Sequence, residues 1–198
     1  MAPESPYTCL ITGGNRGIGR GLVTYFLQHR RTTVIAGVRD PNSLTAQSLL
    51  QLPVAESSRV VIIQMDNNSE AVTKAGIESL PSSHGIQHLD AVISNAGQGQ
   101  SKIQAMVDAD LDEFRHMVDT NGLGVLVLFR QALPLMRRAP RIPKFAYISS
   151  ALGNIALAKM HKDFLVGPMA ASKALGHFVT LRLSLEVTDV LTFMLDPG

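Results

Sequence analysis

The sequence predicts an α/β chain, a single doubly wound domain on a parallel sheet. Three observations carry that expectation. Short apolar runs alternate with stretches of helical spacing, the first run ends on a glycine-rich turn, and no repeat, low-complexity tract or linker divides the chain. Strands alternating with helices argue for βαβ crossovers, whose helices cover both faces of the sheet. At roughly 150 residues per domain, 198 residues make one domain, 1–198.

Tyr7 to Thr12 is a short apolar run ending at Gly13-Gly14, the pattern of a buried strand. The helical spacing after it sets Ile18, Leu22, Phe26 and Leu27 on one stripe. Thr33 to Val38 and Val60 to Met65 read as the second and third strands, followed by a helix at about 69–80. Asp90 to Ser94 and Lys144 to Ser149 read as the fourth and fifth strands, separated by one long helix over 108–138. A last helix is predicted over 169–186. The stripes Phe114, Met117, Val118 and Val125, and Leu175, Phe178, Leu181 and Leu185, are expected to serve the core first.

Composition sets the class. Hydrophobic residues make up 45% and charged residues 17%, enough to bury a core and exclude wholesale disorder. Lys and Arg number 18 against 16 Asp and Glu, and the basic residues are scattered apart from pairs such as Arg30-Arg31 and Arg137-Arg138. That pattern weakens the case for a phosphate-tracking nucleic-acid surface, and no nucleic-acid partner is expected. A single cysteine, Cys9, excludes an intramolecular disulfide framework and suits a reducing compartment. The start lacks a basic stretch followed by an apolar run, and the longest apolar run, Val125 to Phe129, is far too short for a bilayer. A cytoplasmic protein with no membrane partner is expected. The histidines form no HExxH-type cluster, and His84 and His88 sit among Pro81 and Gly85 in a predicted loop, so no metal is expected.

Directly after the first strand stands Thr12-Gly13-Gly14-Asn15-Arg16-Gly17-Ile18-Gly19. A pyrophosphate reaches backbone only where side chains do not block it, and a following helix offers free N–H groups and a positive dipole end. A bare glycine motif is a weak signal; a strand before and a helix after turn it into a nucleotide site, the alternative being a tight structural turn. The end of the second strand selects the cofactor, since an acid binds a ribose 2′-hydroxyl whereas arginine accommodates a 2′-phosphate. Arg39 holds that place, preceded by Val38, while Asp40 comes one position late and opens a turn at Pro41. Arg16 adds a second guanidinium of phosphate-matching geometry. NADP(H) is therefore expected over NAD(H); the alternative is that both arginines are solvated surface.

The spacing at 12–19, with Asn95-Ala96-Gly97 after the fourth strand, resembles the short-chain dehydrogenase/reductase family. Asp66 after the third strand, Asn121 in the long helix, Ile148-Ser149-Ser150 and Ala171-Ser172-Lys173 follow in the family's order over nearly the whole chain. The resemblance implies a Rossmann-type domain, an NADP(H)-dependent oxidoreductase with a small-molecule substrate, and a homo-oligomer, dimer or tetramer, paired through the long helices. It implies Gly13, Asn15, Arg16, Gly17, Ile18, Gly19 and Arg39 around the cofactor, with Asp66 on adenine. Asn95, Ala96 and Gly97 would support the cofactor and Lys173 would hold the nicotinamide ribose. Ser150 would orient the substrate and Asn121 would hold a water in the proton relay.

Two departures from that family pattern shape the functional expectation. The family's general acid is a tyrosine four residues before the lysine; here the position is Met169. Residues four apart share a helix face, so Met169 and Lys173 point together, yet a thioether has no proton to donate. A positioned general acid contributes roughly 10²–10⁴ in rate. The second departure is Asp196-Pro197-Gly198, which resembles the family's Pro-Gly after a sixth strand. The substrate lid that normally follows is expected to be short or absent.

A ketone needs hydride and a proton, whereas an iminium already carries the charge and collapses to a neutral amine on hydride transfer. Such a site needs an anion instead. The segment from Gly153 to Gly167 joins the serine strand to the lysine helix, and its one acid is Asp163, flanked by His161, Lys162 and Phe164. Asp163 is the candidate counter-ion or acid/base, His161 a lesser one, and a solvated charged loop the alternative. The pattern is similar to a small group of fungal short-chain reductases that act on prenylated indole alkaloids. These have lost the tyrosine, reduce a zwitterionic iminium with NADPH and steer the following intramolecular Diels–Alder cyclisation. An aspartate and an arginine implicated in that group map to Asp163 and Arg130. Three functions stay open: reductase of a cationic imine, carbonyl reductase using another acid, and catalytically silent NADP-binding protein.

Overall fold

The computed structural model describes residues 6–160 and 162–198. His161 lies outside the described residues. Six strands, β1 (Tyr7–Thr12), β2 (Thr32–Val38), β3 (Arg59–Gln64), β4 (Ala91–Ser94), β5 (Lys144–Ile148) and β6 (Leu191–Leu195), form one sheet. Their order is β3-β2-β1-β4-β5-β6 and every neighbouring pair is parallel. Among the described residues six α-helices join them: α1 (Gly17–Leu27), α2 (Leu44–Gln47), α3 (Glu70–Ser83), α4 (Leu111–Val118), α5 (Gly124–Met136) and α6 (Gly167–Glu186). β2 and β4 flank β1 on opposite sides, so the order reverses there, and a crevice opens beyond the carboxyl ends of those strands.

The sheet separates two apolar layers, and β1 feeds both by its period of two. Cys9 and Ile11 face a cluster with Val23 and Leu27 of α1. Leu10 faces the other, with Leu80 of α3 and Leu128 and Phe129 of α5. Phe129 meets Phe145 of β5 edge to face, centroids 4.9 Å apart. Among the described residues no helix is long and apolar enough to cross a membrane.

Three sequence expectations need correction. In α1 the buried stripe is Gly19, Val23 and Leu27, while Ile18 is 50% exposed. The glycine dictates this, because a Cβ on Gly19 would stand 2.2 Å from the Gly13 carbonyl oxygen, so that face must turn inward. The predicted 108–138 helix is two helices, α4 and α5, joined by a π-helical turn at Asp119–Leu123. Asp110 caps α4 by accepting from the Asp112 and Glu113 amides. Along α6 the buried positions are Ser172, Gly176, Thr180 and Leu183, whereas Phe178, Leu181 and Leu185 stand outward. Small residues face inward because α6 lies close to its neighbours: a Cβ on Gly176 would meet Tyr147 Oη at 2.5 Å and the Asn121 carbonyl oxygen at 2.6 Å.

Candidate active site

The crevice at the switch point is a cavity of about 980 Å³. One wall is the glycine turn. Gly13 and Gly17 adopt φ of 65° and 52°, the left-handed region that glycine enters without strain. Nothing would meet a Cβ on Gly17 within 4 Å, so its backbone is bare toward the crevice. Arg16 precedes α1 in extended conformation without a side-chain cap, leaving the first amides of an 11-residue helix without a side-chain acceptor.

The turn is held from the opposite strand. Thr12 Oγ1 accepts from the amides of Asn95 (3.1 Å) and Ala96 (3.0 Å), and Asn95 Nδ2 donates to the Thr12 carbonyl at 2.8 Å. Gly13, Asn15, Arg16, Gly17, Ile18, Arg39, Asp66, Asn95, Ala96 and Gly97 all line the cavity. Gly19 sits behind them, packed on Gly13. Arg16 and Arg39 stand exposed at one end beside Ser43 and Thr45, and neither makes an ion pair among the described residues. Asn15 Nδ2 donates to Thr45 Oγ1 at 2.8 Å, tying the turn to α2. Asp66 Oδ1 accepts the Asn68 amide at 3.0 Å, which fixes the carboxylate at the cavity wall.

Next to the Gly97–Gly99 wall, behind the residues that line the cavity, stand the family-type residues Asn121, Lys173, Ser150 and Met169, none of which lines it. Asn121, fully buried in the π turn, donates from Nδ2 to the Gln98 carbonyl (2.8 Å) and Ser172 Oγ (2.9 Å), and its Oδ1 accepts the Gln98 amide (2.8 Å). Its backbone carbonyl accepts from Tyr147 Oη at 2.8 Å. Both amide protons of its side chain are thereby spent on protein. Lys173 Nζ donates to the Ile148 carbonyl at 2.9 Å and lies 4.9 Å from the Tyr147 ring centroid. Burial, with no carboxylate partner among the described residues, lowers its pKa from 10.5 to about 8. A Cβ on Gly97 would stand 3.2 Å from Asn121 Oδ1 and 3.4 Å from Lys173 Nζ, so the Asn95-Ala96-Gly97 turn ends between those two groups. Ser150 opens a 3₁₀ turn, its Oγ accepting the Leu152 amide at 3.3 Å. Met169 lies in the first turn of α6, its sulfur 3.8 Å from where a Gly99 Cβ would be.

Two predicted residues stand apart. Arg130 is exposed on α5 and does not line the cavity. Asp163 is exposed in the turn before α6 and does not line it either. Its segment is nonetheless tied to the crevice. The Leu165 carbonyl accepts from the Gln104 amide (3.2 Å) and Gln100 Nε2 (2.8 Å), just beyond Gly99. Sequence reasoning missed His116, which lines the cavity as Asp66 does and bonds Asn68, and His177, which meets Ser149. The spacing rule that pairs Met169 with Lys173 also pairs Lys173 with His177.

Comparisons with known proteins agree with this geometry. The sequence profile of the family described as short chain dehydrogenase matches residues 7–190. A short chain dehydrogenase of Penicillium aethiopicum, gsfK, is 37% identical over 195 residues, 98% of this chain and 75% of the relative. A norsolorinic acid ketoreductase of Aspergillus parasiticus is 31% identical over 199 residues, 99% of this chain and 72% of the relative. The NADPH-bound carbonyl reductase from chicken fatty liver superposes with a TM-score of 0.85 at 25% identity, covering 99% of this chain and 77% of that one.

Proposed function

The chain belongs to the short chain dehydrogenase family, and from that footing we propose that it is an NADPH-dependent reductase of a small molecule presenting a cationic C=N bond. The observation that carries the substrate class is Met169 in the place of the family's proton donor. A site without that acid is poorly suited to a ketone and well suited to an iminium, which needs no proton to become a neutral amine.

The crevice fits the cofactor. Bare glycine backbone faces the pyrophosphate position, Arg16 and Arg39 suit a 2′-phosphate, Asp66 suits adenine, and Lys173 suits the nicotinamide ribose. When bound, NADPH supplies the hydride. Ser150 orients the substrate, Asn121 and Gln98 keep the cofactor's floor rigid, and Asp163 supplies the negative charge that pairs with the substrate cation. By resemblance the reading extends to guiding an intramolecular Diels–Alder cyclisation of the reduced product in indole alkaloid biosynthesis, and to a homodimer paired through α4, α5 and α6.

A second reading, carbonyl reduction, is favoured by the ketoreductases among the relatives and by Lys173. With its pKa lowered to about 8, its ammonium is a proton source near neutral pH. The test is NADPH oxidation with a panel of cyclic iminium ions against a panel of ketones. A kcat/KM at least about tenfold higher on iminium ions supports the first reading. Turnover of ketones alone supports the second, and turnover of neither overturns both.

A further inference from the structure

On successive turns of one face, α6 carries Met169, Lys173 and His177. Three consecutive residues at the end of β5 meet that face. The Ile148 carbonyl accepts from Lys173 Nζ, Ser149 Oγ bonds His177 Nε2, and Ser150 opens the 3₁₀ turn. That turn comes straight back onto α6, where a Cβ on Gly153 would stand 2.9 Å from the backbone carbon of Lys173. Ser149 is 6% exposed, its amide donates to the Leu195 carbonyl at 2.7 Å, and its hydroxyl meets the imidazole. The ring therefore anchors the residue between the acceptor of Lys173 and the hydroxyl of Ser150.

We propose that His177 is a positioning residue for this site, holding Ser149 so that Ser150 and Lys173 keep their mutual placement, and that its protonation disturbs that placement by reversing the bond's direction and adding charge beside Lys173. The inference rests on Ser150 and Lys173 lying in the proposed active site. The charged groups facing the ring are Lys173, one turn away on α6, and Asp196, just past β6. Desolvation and the lysine push the His177 pKa down, the aspartate and the Ser150 backbone push it up, and the net shift is downward. In the neutral ring Nε2 can accept from the Ser149 hydroxyl; once protonated it can only donate, and the hydroxyl must turn from donor to acceptor. Protonation also adds a second positive charge beside the Lys173 ammonium.

The test compares wild type, His177→Leu and His177→Gln. Hydrogen exchange at 149–153 is read alongside kcat and KM for an N-methyl-3,4-dihydroisoquinolinium probe with NADPH. In the wild type, protection at 149–153, corrected for the pH dependence of intrinsic amide exchange, should fall and kcat fall as pH drops from about 7.5 to 5.5, with KM little changed. His177→Leu should show faster exchange there and a kcat lower by about tenfold or more at neutral pH. His177→Gln, which keeps a hydrogen-bonding group but cannot titrate, should restore both and flatten the pH profile. Corrected protection at 149–153 that is indifferent to pH in the wild type, or unchanged in His177→Leu, overturns the proposal. Exchange that follows the expected pattern while no iminium probe is turned over supports the positioning role and overturns the substrate reading instead.

Discussion

At the residue scale the site separates groups whose roles follow from contacts from groups whose roles follow from chemistry. Arg39 belongs to the first kind, since it lines the crevice beside Arg16 and pairs with no carboxylate among the described residues. Arg39→Ala should weaken NADPH by about 1.5–3 kcal/mol if the lost bonds are charge-assisted, and leave NADH nearly unaffected. Titration calorimetry with both cofactors decides it, and equal weakening would show that Arg39 does not read the phosphate. Asp163 belongs to the second kind. Asp163→Asn keeps shape but removes the charge and should lower iminium reduction at least about tenfold, about 1.4 kcal/mol in barrier, with NADPH affinity unchanged. Adding Met169→Tyr should not rescue that loss, because a phenol replaces neither the charge nor its position. Full activity in Asp163→Asn would return the residue to a solvated loop.

At the element scale the decisive device is the close approach of α6 to the π turn and β5. Gly176→Ala would drive a methyl group into the Asn121 carbonyl and Tyr147 Oη and break the 2.8 Å bond between them. It should cost about 2 kcal/mol or more, read as a lower urea midpoint at unchanged slope. A loss below about 0.5 kcal/mol would mean that the helix shifts freely and the contact is slack. The same approach explains what was legible in the sequence. Apolar runs and glycine punctuation sufficed for five strands and the phosphate turn, because burial and backbone access act on adjacent residues. The break at Asp119–Leu123 was not legible. An apolar stripe passes through it unaltered, and the packing there joins residues far apart in sequence, since Leu175 Cδ2 would stand 2.5 Å from a Gly122 Cβ. The outward Phe178, Leu181 and Leu185 were misassigned for a related reason, since periodicity marks an apolar face but not which surface it meets. His177 carries no motif, and only its bond to Ser149 distinguishes it.

At the scale of the whole molecule that outward stripe on α6 is the feature to account for. Phe178 is 63% exposed and Leu185 62%, large apolar side chains two turns apart, with Leu181 at 48% between them. A homodimer seated on this face should sediment as such at micromolar concentration, and Phe178→Asp with Leu181→Asp should yield monomers that still bind NADPH. A wild-type monomer under those conditions would refute the pairing.

The position of β1 also governs when the nucleotide cradle comes into existence. β1 pairs with β2 within the first 38 residues, but its other edge waits for β4, and Thr8 meets Asp90 across 82 positions. Thr12 Oγ1 cannot receive its two amide donors until Ala96 has left the ribosome. At about 5–20 residues per second, the Cys9-Leu10-Ile11 edge of a nascent chain stays unpaired for roughly 4–16 seconds. During that interval translation presents an apolar strand edge open to any neighbouring chain.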